Sequence, residues 1–442
     1  MSKKYAGQTF TRTLTEGRRW LTRRLLSTVI RRRSGLPDMT KFPARLTMPL
    51  RRNDLDPVPL VGYSDAGDAV SNIGRILGMT VWLVTDYDQA RAVLNDPSYS
   101  ADVRSLLGTD GDGMIGGLGF TDPPDHTRLR KVLMPEFTGR RLATLLPALE
   151  RIVEDQLDAL EAAGPIVDIV ADFAFPVPFA MICELLGLQA QDREKFRRLG
   201  HDRFDVNGGG GGIFGAMSES REFMREAVSA QRENPGDGLI GGILRKHGND
   251  LDDEAIAGLA DGVFTGGYET SASMLALGVL ALIRDPQSLQ RMREDESAVD
   301  GIVDELLRYL SVVQVAFPRF ARRDVELSSK QVRAGDVVVC SLSRANRSDV
   351  FGDAPDRFDP ARPGRSHVAF GHGFHRCIGS ELARMQLRVA FRALARRFPT
   401  MSLAVQSHEL EFYDLSIVYG VRALPVRLHE EPRRQSLSSS AR

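Results

Sequence analysis

The sequence predicts an α+β protein, mainly α with small β-sheets. Three observations carry this. From Asp125 to about Leu310 apolar residues recur almost throughout at helical spacing. Short β-branched runs appear near the two ends and hardly at all between. From Ala44 onward no linker, repeat or long low-complexity block interrupts the chain. Length alone, at 442 residues, suggests two or three domains. The absence of a linker favours one large domain, 44–430, behind a basic extension, 1–43, and ahead of a disordered tail, 431–442.

Residues 1–33 carry ten Lys or Arg and one acid. In the stretch Arg18 to Arg33, Leu21, Leu25 and Val29 recur at helical spacing among arginines, with no clean apolar run. It is neither a signal nor a span. A basic, partly disordered extension is expected, with weak contact to an anionic membrane surface or a partner as its alternative use. "GMTVWLVTDYDQARAVLND" reads as a strand feeding a helix. "RLATLLPALERIVEDQLDALEAAG" reads as an amphipathic helix stopped by Gly.

"NGGGGGIFG", 207–215, lacks the Gly-Lys-Ser/Thr of a phosphate loop and reads as a flexible connection between helices, a hinge over a cavity. "LADGVFTGGYETSASMLALGVLALIRDP" is apolar nearly all round. Asp261 and Glu269 argue against a membrane span, leaving a central core helix. "VELSS", "VVVCSLS" and "LSIVYGVRALPVRLH" read as late strands, and the tail "RRQSLSSSAR" as disordered.

Lys+Arg and Asp+Glu are equal at 58 each, so global charge predicts no nucleic-acid partner. Cys183, Cys340 and Cys377 cannot all pair with one another and lack zinc-site spacing, which suits a reducing cytoplasm. Cys183 and Cys340 read as core residues. Cys377 sits among Gly371, Gly373 and Gly379, just ahead of a helical pattern. Those glycines let the backbone approach a flat object, and amides at a helix start stabilise a thiolate. His375 and Arg376 add donors. A thiolate on such a loop suits haem iron.

The run Phe370, Gly371, Gly373, His375, Cys377, Gly379, Leu382, Ala383 and Arg384 resembles the haem-binding loop of cytochrome P450 monooxygenases. Three further segments agree in order, and the resemblance covers roughly Asp56 to His429. It implies a P450-like fold, with haem b held between a long central helix and the helix after the cysteine. Cys377 would be the axial ligand. "TGGYETSAS" is similar to the oxygen-activating stretch: Gly267 lets the helix widen, Thr270 offers a hydroxyl, and Glu269 relays protons. Gly266 and Tyr268 depart from the commoner Ala and His. Glu305 and Arg308 of "DELLRYL", joined by Arg357 of "DRF", would pin the cysteine loop. His126, Arg130, Arg319 and His375 would hold the haem propionates.

The resemblance also implies pocket walls from Leu106, Leu107, Met114 and Ile115, then Val263 and Phe264, Val313 and Val315, and Ile417 and Val418, though core packing explains these equally well. Their character favours an apolar small molecule, such as a lipid, terpenoid or polyketide, oxidised with O2. The expected protein is a cytoplasmic monomer of the soluble bacterial branch. Its electrons would come from an external ferredoxin and ferredoxin reductase, docking near Arg376. A peroxide-using or isomerising enzyme is the alternative, against which Glu269 and Thr270 argue. A non-catalytic haem-binding protein is the third reading.

Overall fold

The computed structural model describes residues 39–59, 68–76, 78–102, 117–188, 216–364 and 366–429. Most of the basic extension, the glycine run 207–215, the C-terminal tail and the expected pocket residues Leu106, Leu107, Met114 and Ile115 lie outside the described residues.

The longer helices, in chain order, are α1 (Tyr87–Asn95), α2 (Asp125–Leu133), α3 (Gly139–Ala163), α4 (Pro176–Leu186), α5 (Ala216–Arg232) and α6 (Leu239–His247). After them come α7 (Asp253–Gly267), α8 (Glu269–Arg284), α9 (Pro286–Glu294), α10 (Val299–Leu310) and α11 (Ser380–Arg397). Their ends follow from capping chemistry. Asp86 accepts the Gln89 amide at 2.8 Å to start α1, and Asp252 accepts Ala255 at 2.7 Å to start α7. In α3 the apolar stripe Leu142, Leu145, Leu149, Val153, Leu157 and Leu160 is buried, and Gly164 ends the helix.

The strands used below are β1 (Val70–Ile76), β2 (Met79–Val84), β3 (Tyr99–Ser100), β4 (Ile166–Asp168), β5 (Arg319–Ala321), β6 (Val337–Cys340), β7 (Ser402–Leu403) and β8 (Pro425–Arg427). One sheet has the order β1-β2-β6-β5-β3, antiparallel except for the parallel β2–β6 pair. A second has the order β7-β8-β4. Only the end of "LSIVYGVRALPVRLH" joins a strand. Leu415 turns left-handed at φ 55, and Val418 and Val421 make single bridges, to Val313 and Phe412. "VVVCSLS" stops being a strand at Cys340, and Leu342–Ala345 forms one helical turn.

Helices α7 and α8 form the centre of the main core. Together, Asp253–Arg284 is long and apolar enough to cross a membrane, but most of it is buried inside the protein. Its neighbours explain the burial: α8 packs on α11, α10 and α9, while α7 packs on α5. Gly278 of α8 makes the contact with α11 close, since a Cβ there would lie 2.2 Å from the Phe391 ring. This packing sets α11, and so the loop before it, against the centre of the molecule.

Candidate active site

The cysteine loop is folded by its own backbone. Gly371 N–H donates to Val368 O at 2.8 Å, Arg376 N–H to Gly373 O at 3.0 Å, and Cys377 N–H to Phe370 O at 2.9 Å. Gly371 and Gly373 take φ of 70° and 71°, the left-handed region. At Gly373 the loop also touches α1, where a Cβ would meet Leu94 O at 2.5 Å. α11 begins three residues after Cys377. Surrounding protein pushes the thiol's pKa up, while the Gly379 amide and the charges of Arg130, Arg376 and Arg384 pull it back. Cys377 is nonetheless an exposed residue, unlike the buried Cys183 and Cys340. A bound metal deprotonates a coordinating thiol outright, so the raised value belongs to the metal-free chain.

Facing the loop is a group of basic side chains from three elements. His126 and Arg130 stand one turn apart on α2, Arg319 lies in β5, and His375 belongs to the loop. The His126 and His375 rings are 4.3 Å apart. Burial, then Arg319 and His126, push His375 down to about 3. Burial and Arg130 lower His126, and burial lowers Arg130 and Arg319. His126 is 1% exposed, and neither ring nitrogen has a hydrogen-bond partner. Two buried orphan nitrogens among cations make a poor hydrophobic core and a good cradle for a dianion. A thiolate donor and this basic group together fit haem, with its iron on Cys377 and its two carboxylates on the basic side. α2 is held to the sheet by Asp122, which accepts Ala101 N at 2.9 Å, Arg322 at 2.6 Å and the Ser100 hydroxyl.

The central helix breaks where the sequence carries its glycines. α7 ends at Gly267, Tyr268 has ψ −75°, and α8 starts at Glu269. The Thr270 hydroxyl donates to Gly266 O at 2.7 Å, closing back on the break. Glu269 is buried. A Cβ on Gly266 would meet nothing within 4 Å, so the commoner Ala would fit; a Cβ on Gly267 would strike Ile182 at 2.7 Å. Tyr268 packs with Phe264, Phe175 and Phe179, which accounts for an aromatic residue there.

The expected network needs one correction. Glu305 and Arg308 form a buried two-pronged pair at 2.7 and 2.8 Å. The second arginine on Glu305 is Arg362, at 3.4 Å, not Arg357. Arg357 is exposed and contributes its carbonyl, which accepts from Arg308 at 3.0 Å and Arg362 at 2.9 Å. "DRF" therefore supplies backbone, and the side chain comes from "DPARP". Asn346 completes the link: its carbonyl accepts from Arg308 and its side chain accepts the Val368 amide at 2.8 Å.

Among the expected pocket residues within the described regions, several serve packing. Phe264 is fully buried in the aromatic cluster, while Val315 and Ile417 pack with Leu50 and Leu415. Val418 is buried and bridges Val313. Val263 and Val313 are half-buried. Sequence reasoning missed Phe317, an exposed aromatic whose ring lies 4.5 Å from Phe120, centre to centre. Its signal was available, as an aromatic two residues before Arg319 in an otherwise buried run.

The family model "Cytochrome P450" matches residues 211–411. The chain is 36% identical over 386 residues to "Cytochrome P450 165B3" of Amycolatopsis orientalis, covering 85% of this chain and 97% of that one. It is 36% identical over 379 residues to "Cytochrome P450 monooxygenase PikC" of Streptomyces venezuelae, covering 84% and 91%. Among solved structures, OxyE, a P450 "Involved in Teicoplanin Biosynthesis", superposes with a TM-score of 0.77 at 36% identity, covering 86% of this chain and 99% of that one. The cysteine loop, the basic cradle and these likenesses agree. The chain belongs to the cytochrome P450 family, oxidoreductases that incorporate oxygen using a haem on a cysteine thiolate and electrons from a redox partner.

Proposed function

We propose that this chain is a monooxygenase of secondary metabolism that inserts one oxygen atom from O2 into an apolar small molecule. The observation that carries it is the combination of an amide-supported cysteine loop with a basic cradle and a glycine-broken acid–alcohol helix. The haem supplies the oxygen-activating redox chemistry. Cys377 holds the iron, and His126, Arg130, Arg319 and His375 take the two propionates. Thr270 holds a proton at Oγ1 and exchanges its Gly266 partner for a water. Glu269, next along the chain, resupplies that proton. The apolar walls of α7 and α8 keep bulk water away from the exchange. Glu305, Arg308 and Arg362 hold the loop in register and take no part in proton movement.

Electrons come from an acidic ferredoxin, reduced by its own reductase. Exposed Arg376, next to Cys377 in the chain, supports docking on the cysteine side. The relatives point the substrate search to secondary metabolites. One similar structure is a "Complex of the X-domain and OxyB from Teicoplanin Biosynthesis", so carrier-bound substrates belong in the screen. The test is turnover with ferredoxin, reductase and a metabolite library, read as a mass gain of one oxygen atom. Thr270→Ala is expected to keep electron consumption and lose most product, releasing peroxide or water instead. Full coupling in that variant would remove the proton-relay role, and turnover with peroxide alone would favour the peroxide-using reading.

A further inference from the structure

Arg384 lies against the cysteine loop, with contacts beyond those described above. Its side chain comes from the first turns of α11 and covers Phe370, with the guanidinium carbon 4.9 Å from the ring centre. The Phe370 carbonyl accepts the Cys377 amide at 2.9 Å. The cation therefore rests on the residue that holds the backbone of the ligating cysteine. Two carboxylates grip it: Asp304 of α10 takes Nε at 2.8 Å, and Glu381 takes Nη1 at 3.0 Å, while Asp304 also lies 3.8 Å from His367 Nε2.

Exposure separates these partners. The Arg384 side chain is 18% exposed, against 54% for Asp304 and 58% for Glu381. The cation faces the loop with little water around it, while both anions face solvent. Charge held among protein atoms acts at longer reach than charge in water, where salt also screens it. Arg384 is thus the least solvated of the three charges and the one that touches the loop, and the two anions oppose it.

We propose that Arg384 is a positioning residue that raises the electron affinity of the haem–thiolate unit through Phe370, and that Asp304 and Glu381 damp it. On reduction that unit gains one electron from the external donor. No bond forms or breaks, and its net charge falls by one. A fixed cation nearby stabilises the more negative state, and partial neutralisation of that cation by solvent-facing carboxylates reduces the effect. The inference rests on Cys377 as axial ligand.

The test is spectroelectrochemical titration of the purified holoenzyme and single variants, at two salt concentrations. Arg384→Gln is expected to shift the reduction equilibrium towards the oxidised form on the order of tenfold, about 59 mV for one electron. Arg384→Lys should retain most of the wild-type value. Asp304→Asn and Glu381→Gln should move it the opposite way, by less, and more at low salt than at high. Opposite signs are the decisive feature, because a purely structural clasp loosens the loop whichever side is cut. Same-sign shifts, or no shift in any variant, would overturn the proposal. If Arg384→Gln loses its haem, the two exposed carboxylate variants decide alone: a rise supports the damping and a fall or no change refutes it. The red-shifted ferrous carbonyl band, recorded for every variant, separates this result from a failure of Cys377 ligation.

Discussion

Gly371 and Gly373 share a backbone conformation and differ in their surroundings, so replacing each by alanine separates two costs. Both have φ near 70°. An L-residue with a Cβ loses about 1–2 kcal/mol there from the clash with its own carbonyl. At Gly371 the nearest outside atom to a built Cβ is His375 O, at 4.0 Å, so the conformational cost is the whole cost. At Gly373 the Cβ would lie 2.5 Å from Leu94 O and 3.0 Å from Asn95 Cα. Those are backbone atoms at the C-terminal end of α1, and they cannot rotate away. The loop and α1 must separate, which adds roughly 1–3 kcal/mol of overpacking. Gly371→Ala is therefore expected to cost about 1–2 kcal/mol, and Gly373→Ala about 2–5 kcal/mol. Gly371→Asn should recover part of the first loss, because Asn tolerates the left-handed region. Urea denaturation of the holoenzymes gives the free energies, and transfer of haem to an apoglobin acceptor gives retention. Equal losses for the two alanines, or a larger loss at Gly371, would refute the assignment of Gly373 as the docking point on α1.

The network makes a second prediction. Arg308→Ala leaves Glu305 buried and is expected to cost about 3–5 kcal/mol with loss of haem. Arg357→Ala keeps the carbonyl that Arg308 uses and should cost no more than ~0.5 kcal/mol; comparable haem loss in both variants would count against the Arg362 correction. Asp122 supplies a pH test. Burial works against its carboxylate, but the Ser100 hydroxyl, the Ala101 amide and Arg322 outweigh that and hold its pKa below the usual 3.8. A depressed acid stabilises the fold above its unfolded pKa and loses that contribution as pH falls through the folded one. Asp122→Asn should therefore be destabilised by about 1–3 kcal/mol at pH 7. The gap from wild type should begin to narrow near pH 4 and close as pH falls through the lower folded pKa. A gap independent of pH, measured by thermal melts of the holoenzymes, would show that shape rather than charge is what α2 needs.

The parts legible from sequence are those whose chemistry is local. The cysteine loop announces itself because glycine, thiol and helix start must be neighbours in the chain. His126 and Arg130 were legible because one turn of helix brings i and i+4 together, and the structure gives them that helix. The break at Tyr268 was foreshadowed by adjacent glycines in a helix otherwise rich in good formers. What stayed hidden depends on which of several equivalent groups arrives first. "DRF" and "DPARP" are adjacent, and each offers an arginine, Arg357 and Arg362, five residues apart. Only the path of the turn at Asp359, whose amide also donates to Glu305 at 2.9 Å, decides that Arg362 points in and Arg357 out. The apolar pocket assignments are undecidable from sequence for a similar reason. Val315, Ile417 and Phe264 carry no mark in the sequence that separates a wall from a core.

The basic cradle also bears on why the fold needs its cofactor. His126, His375, Arg130 and Arg319 come from a helix, a loop and a strand, and the two arginines disfavour the charged form of both histidines. Within the chain no carboxylate makes a salt bridge to any of these four among the described contacts. Asp122, the nearest acid felt by both histidines, is already engaged with Ser100, Ala101 and Arg322. Bringing the elements together thus costs electrostatic energy that hydrophobic packing behind them must offset. A dianion in the cradle reverses the sign of that cost, gives the His126 ring N–H an acceptor, and draws α2, β5 and the cysteine loop towards one object. Because such a ligand binds the native arrangement and not the unfolded chain, its binding energy adds to stability. The cradle couples cofactor retention to the docking of α2, so weakening Asp122 or the Gly373 contact, both remote from the iron, should release haem before the helical core melts.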